Sequence, residues 1–220
     1  MESGFWKQRW QEGRIGFHQK RVTPLLEQHW NAVQALPGCT VLVPLAGKSR
    51  DMDWLAERGH KVIGVEISPL AIEQYFVERG IEPEISTDAN GIHHRAGSID
   101  LIQGDAFALN SALLTSCKAV FDRAAMIALP PSMRDTYVRQ VYARLPVQCR
   151  GLLVTLEYPS HEKSGPPFSV GESDVRVRLG ATWKVARLEQ QNILAEQPGF
   201  IEEGVTSLYT SALSLQKLSL

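Results

Sequence analysis

The sequence predicts an α/β fold built on a mostly parallel sheet with helices on both faces. Three observations carry this. Apolar β-rich runs alternate with helical patterns from residue 40 to residue 156, the signature of successive strand–helix–strand units. Two late segments, Trp183 to Glu189 and Ser207 to Lys217, alternate in polarity with no helix between the second and the chain end, which suits a terminal antiparallel pair. The chain has 220 residues, 44% of them hydrophobic, enough for one α/β core without disulfides or a structural metal.

In order, Val41 to Leu45 reads as a buried strand, followed by a turn and a helix containing Met52, Trp54 and Leu55. Lys61 to Glu66 is a second strand. Ser68 before Pro69 is a helix N-cap with proline at the first helical position, and Leu70, Ile72, Tyr75 and Phe76 continue the helix. Asn90-Gly91, flanked by Ile85 and Ile92, predicts a small hairpin within the long 81–98 connection. Ile99 to Ile102 and Ala119 to Phe121 are the next strands. A helix over 132–145 puts Tyr137, Val138, Val141, Tyr142 and Leu145 on one face, and Leu152 to Leu156 is a fifth strand. His93 and His94 are adjacent, so in a strand they point to opposite faces and cannot share a metal ion; surface positions are expected for both.

Composition excludes whole classes. Residues 1–110 carry 11 basic and 14 acidic groups, and residues 111–220 carry 12 and 10, so no basic face is available to track a nucleic-acid backbone. Runs such as Thr40 to Ala46 fall far short of the ~20 residues that span a bilayer. The first residues have no basic region followed by an apolar one, so a secretory signal is not expected. Three cysteines, Cys39, Cys117 and Cys149, without C-x-x-C spacing fit reduced, packed thiols in a cytoplasmic protein. No metal site is expected.

Ligands of an open parallel sheet bind at the carboxyl ends of its strands. The loops at that edge are 45–51, 66–69, 103–107, 122–131 and 158–170. Gly47-Lys48-Ser49 looks like a phosphate loop, but that motif needs glycine where Leu42 stands, and the dinucleotide fingerprint is also missing. With Gly47 alone, the loop argues against nucleoside triphosphates and nicotinamide cofactors. Glu66 ends the second strand 21 residues after Leu45, where a carboxylate can accept both hydroxyls of a ribose diol. Asp105, after the third strand, is placed for an adenine edge. Acidic ends on strands two and three above a glycine-poor loop point to S-adenosylmethionine; each alone could equally cap a helix.

Trp6 and Trp10 are four apart and share a helix face, with Phe17 and His18 following Gly13 and Gly16. The segment either packs on the domain or closes over an adenine as a lid. Pro159, Gly165, Pro166 and Pro167, with Phe168 beyond them, mark the 158–170 loop as an acceptor wall.

Phe5 to Trp10 with Gly16-Phe17-His18, Val43 to Lys48, Arg58 to Ser68, and Phe121-Asp122-Arg123 together resemble the thiopurine S-methyltransferase family in its shorter bacterial form. The resemblance runs in order along nearly the whole chain. It implies a class I methyltransferase fold, a seven-stranded sheet ending in an antiparallel hairpin, with S-adenosylmethionine as donor and 1–220 as a single domain whose residues 1–20 form a lid. Carried over by position, Trp6, Trp10, Leu45, Gly47, Glu66, Asp105, Ala106 and Arg123 bind the cofactor. Phe17 belongs to the acceptor pocket, and Phe168 joins it from the loop reading. Arg123 is the candidate catalytic residue, holding an anionic acceptor and lowering its pKa; the plainer reading pairs it with a carboxylate such as Asp122. An aromatic thiol is acidic enough to need no dedicated base, so rate comes from alignment and exclusion of water. The resemblance also raises selenium and tellurium oxyanions and other small soft nucleophiles as acceptors. A non-catalytic S-adenosylmethionine-binding module is the alternative of another class. A monomer without nucleic-acid or membrane partners is expected.

Overall fold

The computed structural model describes residues 3–219; Met1 and Glu2 of the expected lid lie outside them. The chain opens with helices α1 (Ser3–Gln11) and α2 (Pro24–Val33), then enters strand β1 (Thr40–Pro44). Next come α3 (Asp51–Glu57), β2 (Lys61–Glu66), α4 (Pro69–Val77), and the hairpin β3 (Glu84–Asp88) and β4 (Gly91–Ala96). Then β5 (Ile99–Gln103), α5 (Ser111–Ser116), β6 (Cys117–Asp122), α6 (Ala125–Ala128) and α7 (Pro131–Gln140) follow. The chain ends with β7 (Arg150–Glu157), α8 (Glu172–Leu179), β8 (Trp183–Asn192), α9 (Pro198–Glu202) and β9 (Tyr209–Lys217).

The nine strands among the described residues form one sheet in the order β3-β4-β5-β2-β1-β6-β7-β9-β8. β5-β2-β1-β6-β7 is parallel, and β9 and β8 add antiparallel at one end. The seven expected strands are therefore present, and the Asn90-Gly91 hairpin extends them to nine by pairing antiparallel to β5. The helix expected over 132–145 stops at Gln140 and resumes as a 3-10 turn over Tyr142–Arg144. Helix α2 was not foreseen, although Thr23-Pro24 marks its start and Leu25, Leu26, Trp30 and Val33 form its buried face.

Both faces of the central strands are covered. Val41, Val43, Phe121 and Leu152 pack on α2, α3 and α4, while the alternate residues Leu42, Val120 and Leu153 pack on α6, α7 and α8. Each such aliphatic side chain contributes about 1.5–3 kcal/mol by leaving water, and this double layer fixes the heights of the strand ends. At α4, Ser68 caps as the sequence predicts, its Oγ accepting from the Ala71 amide at 3.4 Å. His93 departs from expectation: it is buried, not superficial, because Asp88 and Asp100 flank its ring at 2.9 Å. No helix among the described residues is long and apolar enough to cross a membrane.

Candidate active site

A cavity of about 1000 Å³ opens along the carboxyl ends of β1, β2, β5, β6 and β7, roofed by α1 and the segment after it. Trp6, Trp10, Phe17, Leu45, Gly47, Glu66, Asp105, Ala106 and Arg123 all line it. Phe168 does not. The adjoining Pro166 and Pro167 line it instead, because the Phe168 amide is drawn to the Ile127 carbonyl at 2.7 Å and its ring lies against Gly165.

Glu66 puts a buried carboxyl in the floor. Its Oε2 accepts the Gly47 amide at 2.9 Å and its Oε1 the Ser68 amide at 2.8 Å. Burial pushes its pKa up, and the amides of Ser68, Gly47 and Ile67 pull against that. A carboxylate has about four acceptor positions, so Glu66 keeps acceptor capacity for a ribose hydroxyl. The Gly47 bond fixes the first loop, which turns through left-handed backbone at Leu45 (φ 50°) and Gly47 (φ 54°). A Cβ on Gly47 would stand 3.1 Å from the Trp10 ring, so glycine lets the indole close on the loop. Trp10 and Trp6 each meet the edge of Phe17, at 5.6 and 5.4 Å between ring centroids.

Lys48 explains why Gly-Lys-Ser is not a phosphate loop: its ammonium is buried and donates to Gln74 at 2.9 Å and to Glu78. Asp105 is exposed and its Oδ1 accepts the Phe107 amide at 2.9 Å, shaping the loop after β5. Arg123 does pair with a carboxylate, though with Asp51 rather than Asp122: Nε lies 3.5 Å from Asp51 Oδ2. Asp122 points inward, accepting from Tyr137 (2.8 Å) and Tyr142 (3.0 Å). Arg123 also donates to the Phe17 carbonyl at 3.4 Å. His18 shares the wall, its pKa lowered by burial and then by nearby Lys48.

Sequence reasoning missed Asp51, and with it the tie between the N-terminal segment and the sheet. It also missed the far wall, where Val154, Leu156, Ile193, Phe200, Leu208 and Thr210 line the cavity. Asp51 stood in plain view after Ser49, but the polar segment 191–203 has no periodicity that would mark a wall.

The thiopurine S-methyltransferase (TPMT) family profile matches residues 1–218. The chain belongs to the thiopurine S-methyltransferase family. The thiopurine S-methyltransferase of Xanthomonas axonopodis pv. citri is 52% identical over 217 residues, covering 99% of this chain and all of that one. The Nitrosomonas eutropha protein of the same name is 48% identical over 219 residues, covering all of both chains. Among solved structures, a SAM-dependent methyltransferase from Anabaena variabilis superposes with a TM-score of 0.68 at 10% identity, covering 98% of this chain and 94% of that one. The 1,6-didemethyltoxoflavin-N1-methyltransferase of Burkholderia thailandensis gives 0.63 at 14%, with coverages of 99% and 87%. These two share the fold. As a thiopurine S-methyltransferase family member, the chain is an S-adenosylmethionine-dependent methyltransferase of class I architecture.

Proposed function

We propose that the enzyme methylates the sulfur of aromatic and heterocyclic thiols such as thiopurines. The observation that carries this is the division of the cavity. One end has the buried carboxyl of Glu66 and the indole roof of a nucleoside site; the other sets apolar side chains such as Leu156, Phe200 and Leu208 beside the polar Lys163, Glu196 and Glu203, with the Arg123 guanidinium at the boundary.

The residues fit S-adenosylmethionine on their own chemistry. Glu66 keeps acceptor capacity for a ribose hydroxyl, and no phosphate cradle competes. Arg9, whose guanidinium lies 4.9 Å from the Phe5 ring centroid, lines the same cavity with a buried Nε that has no hydrogen-bond partner among the described residues; a carboxylate group of a ligand would satisfy it. S-adenosylmethionine, when bound, supplies a methyl group activated by its sulfonium. Glu66, Leu45 and Gly47 would hold the ribose end, Asp105 and Ala106 the adenine, and Trp6 and Trp10 the cover. In this reading residues 1–20 act as the lid, closing the site against water.

At the acceptor end, Phe17, Leu156, Leu208 and Pro166 form flat apolar walls for an aromatic ring, and Arg123 faces its sulfur. The guanidinium favours the thiolate and so lowers the pKa of the bound thiol. No residue need take the proton within the site, since an aromatic thiol loses it to water near neutral pH. The apolar side chains Phe17, Leu156 and Leu208 give a ring contact area that a selenium or tellurium oxyanion has no apolar surface to use, which favours a heterocycle.

The test is to incubate the protein with S-adenosylmethionine and separately with a thiopurine, a thiophenol, selenite and tellurite, and to measure S-adenosylhomocysteine by mass spectrometry. Product with the two thiols is expected. Product with the oxyanions alone would replace this acceptor class, and no product with any acceptor would leave a binding module.

A further inference from the structure

The hairpin that enlarges the sheet does more than cover its edge. Its turn, Asn90-Gly91, lies backbone to backbone against the end of β5: a Cβ on Gly91 would collide with the Gln103 carbonyl oxygen, and one on Gly104 with the Asn90 carbonyl oxygen. Both positions must be glycine for that approach, and Gly91 also takes φ 140°, which L residues avoid. The buried Asn90 side chain then reaches past this contact. Its Oδ1 accepts the Asn110 amide at 2.8 Å, and its Nδ2 donates to Asp88 at 3.0 Å. Asp88 is held in turn by His93 at 2.9 Å. The Asn90 side chain thus holds residue 110, the far end of the loop that carries Asp105, Ala106 and Phe107 on the cavity wall, while its backbone carbonyl lies against Gly104, whose own amide donates to the Glu66 carbonyl at 3.0 Å.

We propose that Asn90 is a positioning residue for the cofactor: with the near end of loop 104–110 held by the Glu66 carbonyl, its side chain clamps the far end at Asn110 and so sets where that loop meets adenine. The inference rests on the reading that 104–107 faces the adenine. Asparagine is the side chain the clamp needs, because one group must accept from a backbone amide while donating to a carboxylate. Alanine supplies neither, and aspartate would place a second negative charge on Asp88.

The test uses the full chain with S-adenosylhomocysteine and adenosine as probes. Asn90→Ala is expected to weaken both by about tenfold, the loss of one positioning hydrogen bond, and to raise the cofactor KM while the thiol KM stays unchanged. A role in stability alone would lower Tm and leave the Kd of the folded fraction alone. Arg95→Ala, which cuts the bonds to Asp100 and Ser86 in the same hairpin, should therefore bind as the parent does. Unchanged affinity in Asn90→Ala, or equal weakening in Arg95→Ala, would overturn the clamp. Should Asn90→Ala not fold, hydrogen exchange in the parent decides: the Asn110 amide should be protected, and rapid exchange there would overturn it. Amide shifts of Asp105 to Phe107 on adding adenosine check the underlying reading separately. Their absence would remove the adenine assignment and the clamp with it, whereas shifts with unchanged Asn90→Ala affinity would remove the clamp alone.

Discussion

Asp51 and Arg123 form an ion pair at 3.5 Å in which the carboxylate is 2% exposed and the guanidinium faces the cavity. The same carboxylate accepts the Thr23 amide (2.7 Å), the Thr23 hydroxyl (3.0 Å) and the Ser49 hydroxyl (2.9 Å). Arg123 is thereby tied to the N-terminal segment and to the first loop at once, and its direction is fixed before any ligand arrives.

Replacing Arg123 tests its place at the acceptor end. Arg123→Ala should lower kcat/KM for a thiol acceptor by about 10–100-fold, the range for losing a charge-assisted contact. Asp51 keeps three hydrogen bonds, so the protein should stay folded, and S-adenosylhomocysteine affinity should change far less. Steady-state kinetics with calorimetry on the same variant checks both halves.

Glu66 has its proposed role at the other end of the cavity. Glu66→Ala removes acceptors for a ribose diol and the anchor of the Gly47 and Ser68 amides, and should weaken cofactor binding by about 2–3 kcal/mol. Glu66→Gln, which keeps one carbonyl oxygen, should fall between. Titration calorimetry showing parental affinity in a folded Ala variant would remove Glu66 from the cofactor site.

Gly47→Ala combines strain and crowding. The left-handed backbone costs an L residue about 1–2 kcal/mol, and the added methyl presses on Trp10. Tm should drop by roughly 2–8 °C for a chain of this size. Cofactor affinity should fall as the indole is pushed off the loop, read from tryptophan fluorescence during titration.

His94 gives a pH signature. Its ring stacks on Phe76 at 6.1 Å, its Nε2 is buried without a partner among the described residues, and burial lowers its pKa below 6.5. Below pH 6.5 the unfolded chain therefore binds a proton here that the folded chain refuses, so this residue makes stability rise with pH up to that value. His94→Phe should raise stability at pH 5.5 more than at pH 7.5. Urea unfolding at the two pH values measures the difference, and an equal gain at both would refute the assignment.

What could be read from sequence was local. Ser68-Pro69, the Glu66 strand end and the Asn90-Gly91 turn each declare themselves within a few residues, because capping, strand termination and hairpin reversal are short-range physics. The Asp51–Thr23 bonds span 28 residues, and nothing near either residue shows which partner it will take. Phe168 shows the same limit. Its loop reaches the cavity through Pro166 and Pro167, but which side chain faces inward depends on the bond from its amide to Ile127, 41 positions earlier in the chain. The wall from Ile193 to Phe200 rests on a small apolar cluster with Tyr158, Val205 and Leu208, assembled only once β7, β8 and β9 have paired.

That separate cluster has a consequence for how such enzymes diversify. The proposed donor end is built on β1, β2 and β5, and the far wall on β7, β9 and β8, on opposite sides of the strand order. The outer loops are tied to each other, Glu162 to Thr206 and Lys163 to Glu203, rather than to the donor loops. Substitutions at the outer-loop residues Glu162, Lys163, Glu203 and Thr206 would therefore alter the far wall without removing a bond to Glu66 or Gly47.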